Sequence, residues 1–146
     1  MSAATDARRR ALVAALVSAV AVPKIAFAQD PRATFVQKVA RDWLALADKL
    51  DTTATWKAAG PRFQDAISET KWSALLRRER ESRGAVVQRT LAGTRFGSNF
   101  PALPPGGTYA MVGFRTAFAN QPISFEDVTL EQGSDSVWRV IGYVVR

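Results

Sequence analysis

Three carboxylates crowd one short stretch of this chain. The run ISFEDVTLEQ, residues 123–132, holds Glu126, Asp127 and Glu131 among residues that alternate as a β-strand does. The chemistry open to such a group is proton abstraction, because a carboxylate pushed toward neutrality by burial and a hydrogen-bonding neighbour can serve as a general base. Asp127 is the candidate. The apolar positions change phase between Phe125 and Val128, which predicts a β-bulge at Glu126 and Asp127. Tyr109 or Tyr143 would be its hydrogen-bonding companion. Surface carboxylates far outnumber catalytic ones, however, so the residue types favour Glu126 and Asp127 alternating along an exposed edge.

The residues that are missing exclude more. The 146-residue chain has no histidine and no cysteine. Zinc, copper and haem iron need imidazole or thiolate ligands, so those metals are excluded, together with any histidine base. No Asp-rich calcium loop, phosphate-cradling glycine loop, nucleotide fingerprint or Ser-His-Asp set is present. No metal and no cofactor is expected.

The first residues read as an export signal. Arg8, Arg9 and Arg10 give a positive start, and ALVAALVSAVAV at 11–22 is an uncharged apolar run, too short to span ~30 Å of hydrocarbon. Pro23 breaks it, and Ala26-Phe27-Ala28 places small residues where a signal peptidase needs them, predicting cleavage between Ala28 and Gln29. Residues 1–28 are thus a cleaved signal peptide and 29–146 a single domain. The arginine pair lacks the preceding hydroxyl residue of a twin-arginine signal, and with no cysteine there is no lipid anchor. The expected location is periplasmic or secreted, with no stable membrane attachment after cleavage. The segment also carries Lys24 and Asp6, so its loss removes three of the seven net positive charges. A nucleic-acid partner is not expected. An exported domain without cysteine must hold itself together by packing alone.

Helices come first along the mature chain. Asp30-Pro31 caps a helix whose Phe35, Val39, Trp43, Leu46 and Leu50 form an apolar stripe. Asp51 or Thr52 begins a shorter helix ended by Gly60-Pro61, a turn follows at 63–67, and Ser68 caps a helix carrying Trp72, Leu75 and Leu76. Its continuation, Arg77 to Arg83, has no apolar position, which predicts a solvated surface with Glu79–Arg83 and Arg77–Glu81 pairs; the rival reading is an acidic-partner patch. After Gly84 the period becomes two. Strands are predicted at 86–91, 109–119, 123–131 and 137–145, and the loop GSNFPALPPGG at 97–107 is expected to pack Phe100 and Leu103 back on the body. Helices followed by short-turned strands predict an α+β domain, with the helices on one face of a four-stranded antiparallel sheet.

The run GGTYAMVGFRTAFANQPISFEDVTL at 106–130, followed by VWRVIGYVVR at 137–146, resembles the bacterial family named domain of unknown function 4019. Its recurring features are a Gly-x-Tyr opening, a Phe-Ala-Asn strand end, a Glu-x-Val-Thr-Leu segment and a Trp-Arg-Val-x-Gly-Tyr-x-x-Arg close. The likeness covers residues 33–146. It implies an exported domain of unknown activity with a cone-shaped, nuclear transport factor 2-like (cystatin-like) architecture. The resemblance supplies no catalytic residues. The family's Asn-Lys after Phe-Ala is Asn120-Gln121 here, so no site is placed on that turn.

The final strand, WRVIGYVV, is apolar on both sides. Its Trp138, Val140 and Val144 are expected to join Val112, Phe114 and Phe118 against the helices. Met111, Ile141, Tyr143 and Val145 would then form an open face with Arg115 and Arg139 at its margin, too apolar to be left in water. A second copy of the chain meeting it sheet to sheet is the expected cover, making a homodimer. The overall expectation is a non-enzymatic binding module whose ligand is a protein or a small apolar molecule held between helices and sheet; the alternative is a small cavity enzyme with Asp127 as base.

Overall fold

Three helices begin where a side chain can receive an unpaired N–H group, and a fourth begins at Gly60-Pro61 without such a cap. Asp30 accepts from the N–H of Arg32 at 2.9 Å, Asp51 from Ala54 at 3.0 Å and Ser68 from Lys71 at 3.3 Å. The computed structural model describes residues 30–146, so the expected signal segment and the Ala28–Gln29 cleavage point lie outside the described residues. The described residues form four helices, α1 (Pro31–Asp48), α2 (Thr52–Ala58), α3 (Pro61–Ala66) and α4 (Glu69–Glu81). Four strands follow as β1 (Val86–Gly97), β2 (Tyr109–Phe118), β3 (Gln121–Gln132) and β4 (Trp138–Val145), paired antiparallel in the order β1-β2-β3-β4. The fold is α+β, with the helices packed on the four-stranded sheet.

α1 lies across the inner face of all four strands. Its buried side is Ala33, Val36, Ala40, Trp43, Leu44 and Ala47, while Phe35 is 56% exposed. The stripe expected from the bulky residues is therefore rotated. Alanines at the contact let the helix axis come close to the sheet, and close approach buries more surface than a layer of large side chains held farther off. Trp43 belongs to both descriptions. Its indole N–H donates to the carbonyl of Thr55 at 3.0 Å, and the indole of Trp72 donates to the Thr55 hydroxyl at 2.9 Å. One threonine thus satisfies both buried indoles.

The strands depart from a simple alternation at defined places. β3 alternates strictly from Ser124 to Leu130: Ser124, Glu126, Val128 and Leu130 point inward, and Phe125 points outward at 42% exposure. The bulge expected at Glu126 and Asp127 is absent. The phase change read there came from placing Phe125 inside, whereas a charged residue takes the inner position and the aromatic ring the outer one. The irregularity sits on β4 instead, where Leu130 pairs with Val140 but Thr129 pairs with Gly142, leaving Ile141 as the extra residue. Trp138 and Val140 face the helices as expected. Beyond the bulge the sides exchange: Tyr143 and Val145 turn inward and Val144, expected inside, is 55% exposed.

The loop between β1 and β2 folds back on the outer face, as expected. Phe100 is buried and stacks on Tyr109 with centroids 6.0 Å apart, and the Tyr109 hydroxyl donates to the carbonyl of Pro104 at 2.8 Å.

Candidate functional site

The inward turn of Glu126 sets up the most unusual chemistry in the molecule. Its side chain is fully buried, and a lone buried carboxylate would be too costly to keep charged. Strand register supplies its partners. Phe114 is its cross-strand neighbour on β2 and Val145 on β4, so Thr116 and Tyr143 are the diagonal neighbours two residues along. The Thr116 hydroxyl donates to Oε2 at 2.5 Å and the Tyr143 hydroxyl to Oε1 at 2.6 Å. Arg89, opposite Thr116 on β1, reaches across with Nε to Oε2 at 2.7 Å and Nη2 to Oε1 at 3.2 Å. Four donors therefore meet the four lone-pair positions of one carboxylate.

The network continues to the helices. Arg89 also donates to both oxygens of Asp48 at the end of α1, at 2.8 and 2.9 Å, and Arg80 of α4 donates to Asp48 at 2.5 Å. Two carboxylates and two guanidinium groups thus form one balanced cluster joining α1, α4 and the sheet. Burial raises the Asp48 pKa, but the hydrogen bonds and charges of Arg89 and Arg80 outweigh it and hold the group below its ordinary 3.8. Burial opposes the charge of Arg89, yet its two carboxylate partners raise its pKa above the ordinary arginine value. The Tyr143 phenol is raised above 10.0, first by burial and then by the charge of Glu126 beside it. Arg80 is the imperfect member: Nε and Nη1 find no hydrogen-bond acceptor among the described residues, Nη1 stands 3.9 Å from Glu126 Oε1, and the guanidinium lies over the Phe118 ring at 5.0 Å.

This cluster corrects the expectation that the end of α4 stands wholly in water. The Glu79–Arg83 and Arg77–Glu81 pairs form at 2.8 and 3.7 Å, but Arg80 between them is only 4% exposed. The signal in the sequence is faint. Strict alternation from Ser124 to Leu130 puts Glu126 on the apolar side, and Arg89 shares its side with Leu91; a charged residue on each of two apolar faces is the clue.

The expected site residues are dispersed. Asp127 lies on the outer face, ion-paired with Arg146, between Gly113 and Val144 in register. Tyr143 is on the opposite face, and Tyr109 is occupied by Pro104 at the far end of β2. Glu131 is held by Arg62 at 2.8 and 3.0 Å. The open apolar face is likewise divided. Met111 and Arg115 are outward, and Arg139 pairs with Asp135 at 2.8 Å. Ile141 packs beside Gly60, where an added Cβ would come within 3.2 Å of it. Tyr143 is inside, its ring 5.3 Å from Trp43. The outer face keeps Met111, Phe125 and Val144, interleaved with Arg95, Arg115, Asp127 and Thr129.

Where β4 turns inward, α4 leaves a gap. α4 leans on α2 rather than on the sheet, and a groove of about 250 Å³ opens between Trp72, Leu75 and Leu76 on one side and Tyr143, Val144 and Val145 on the other, with Glu79 at its margin. Its walls are apolar, and the Tyr143 ring forms the boundary between groove and charge cluster. Among the described residues no group of three acidic, histidine or cysteine side chains converges to hold a metal, and no helix is long and apolar enough to cross a membrane.

Residues 39–143 match the model of a family described as protein of unknown function (DUF4019), a span that contains Asp48, Arg80, Arg89, Thr116, Glu126 and Tyr143. No curated protein matches the chain. With most of its length covered by that family model, the chain belongs to the DUF4019 family.

Proposed function

We propose that this chain is an exported bacterial binding module, without catalysis of its own, that holds an apolar group of its ligand in the groove between α4 and β4. The observation that carries the reading is the contrast between two neighbours. The buried carboxylate Glu126 has every lone pair engaged and no surface to offer a substrate, whereas the apolar groove beside it stands open. A general base must reach the proton it takes, and Glu126 reaches only its own four donors. The alternative, an enzyme using Asp127, has that carboxylate tied to Arg146 on the face away from the groove.

The groove is of a size to take a side chain or a small ring system, given that cavities near 150 Å³ bind benzene. The test is fluorescence titration of the purified protein with the apolar dye N-phenylnaphthylamine. Binding that is lost in Leu75→Glu, a change at a half-exposed wall position, supports the reading. A dye signal absent from both proteins, or equal in both, overturns it. Export is tested by the intact mass of protein recovered from the periplasm, expected to begin at Gln29.

A further inference from the structure

We infer that the occupant of the groove is an extended polypeptide segment, which joins the sheet as an additional strand beside β4. The inference rests on the groove reading above and names the ligand class. At the end of the sheet Phe125 and Arg146 exchange both backbone hydrogen bonds, at 2.7 and 3.0 Å. Bonded and non-bonded pairs alternate in an antiparallel ladder, so the next bonded pair is Asp127 with Val144. Tyr143 and Val145 then direct their N–H and C=O groups away from β3, to the free edge.

Among the described residues that edge is closed upstream and open downstream. The N–H of Gly60 donates to the carbonyl of Val140 at 2.7 Å, and Ile141 packs beside the same glycine, so the junction of α2 and α3 covers the first half of β4. Along the second half, Arg83 Nη2 stands 3.5 Å from the Val145 carbonyl, at the outer limit of a hydrogen bond. The uncovered backbone and the apolar wall of α4 border one groove.

Two recognition elements side by side select the ligand. A hydrocarbon would fill the wall formed by Trp72, Leu75 and Leu76 but leave the edge groups of Tyr143 and Val145 unmet. An extended peptide meets both: its backbone pairs with the edge, and alternate side chains point at the wall. Charge narrows the sequence further. Arg83 closes the Val145 end of the groove, and its Nε is buried with no hydrogen-bond acceptor among the described residues although Nη1 holds Glu79 at 2.8 Å. An acidic residue next to a bulky apolar anchor would complete that guanidinium.

The test begins with selection of a displayed library of random short peptides against the purified full protein. Enrichment of sequences pairing a bulky apolar residue with an acidic one is expected. A selected peptide should slow amide hydrogen exchange at Tyr143 and Val145 about tenfold or more, and methylating its edge-facing nitrogens should weaken binding about tenfold or more. No enrichment, unchanged exchange at both amides, or an N-methylated peptide that binds as tightly overturns the inference. The dye separates this failure from that of the groove itself. Leu75-dependent dye binding with a negative peptide result removes the added strand alone, and loss of both removes the groove reading as well.

Discussion

The Tyr143 hydroxyl donates to Oε1 of Glu126 at 2.6 Å, while Nη1 of Arg80 stands 3.9 Å from the same oxygen with no acceptor of its own among the described residues. The carboxylate therefore has a donor in reserve. Tyr143→Phe should cost about 1.5 kcal/mol of stability, the low end for hydrogen bonds to charged groups, because a small shift of Arg80 can fill the vacated position. Urea unfolding measures this, and a loss above about 3 kcal/mol would show that Arg80 does not move in.

Adjacent carboxylates should behave in opposite ways. Glu126→Gln leaves two buried guanidinium groups sharing one carboxylate and should cost about 3 kcal/mol or more. Asp127→Asn breaks an ion pair whose arginine is largely exposed and should cost less than about 1 kcal/mol. If chemical denaturation ranks them the other way round, the inward placement of Glu126 is wrong.

Acid should weaken the protein through Asp48. Its folded pKa lies below the ordinary 3.8, so the folded state holds that proton less tightly than the unfolded state. The contribution is present in full above the unfolded value and is lost as pH falls through the folded one. Asp48→Asn should be less stable at neutral pH and show a flatter decline below about pH 4. Parallel acid limbs in the two proteins would contradict this.

At the alkaline end the sign reverses. The Tyr143 phenol is raised above 10.0, so the folded state keeps its proton longer and the associated stability disappears as pH climbs beyond that value. The protein has two tyrosines, and the phenolate absorbance of Tyr143 should appear only with unfolding. Tyr143→Phe should remove that late component; its survival would assign it elsewhere.

Gly107→Ala should unseat the long loop. A Cβ there would lie 2.3 Å from Cζ of Tyr109, whose ring stacks on Phe100. The ring must move, at a cost of about 1–3 kcal/mol. Hydrogen exchange across residues 98–107 should quicken, and unchanged protection would mean that the ring is not what holds the loop.

The helix starts and the sheet were legible because their signals are local. Asp30, Asp51 and Ser68 each cap within three residues of themselves, and the change from a period near four to a period of two after Gly84 needs no knowledge of the tertiary fold. What bulk hydrophobicity obscured was orientation. On α1 the small residues Ala33, Ala40 and Ala47 carry the contact while Phe35 faces water, so ranking residues by apolar size turned the helix. The charge cluster was hidden for a related reason. Glu126, Arg80 and Arg89 look like surface residues one at a time, and only their convergence from β3, α4 and β1 makes burial affordable. That convergence depends on contacts between distant parts of the chain, with Arg89 and Glu126 37 positions apart.

Ile141 divides β4 into two reading frames. Before it, even-numbered positions 138 and 140 look toward the helices; after it, odd-numbered 143 and 145 do. Were the bulge ironed out with every residue kept, so that Ile141 rather than Gly142 stood opposite Thr129, the tyrosine ring would swing into water, a valine methyl would come up to the carboxylate and the boundary between the charged interior and the groove would be erased. The electrostatic heart of this domain thus depends on where one strand takes up an extra residue as much as on its chemistry.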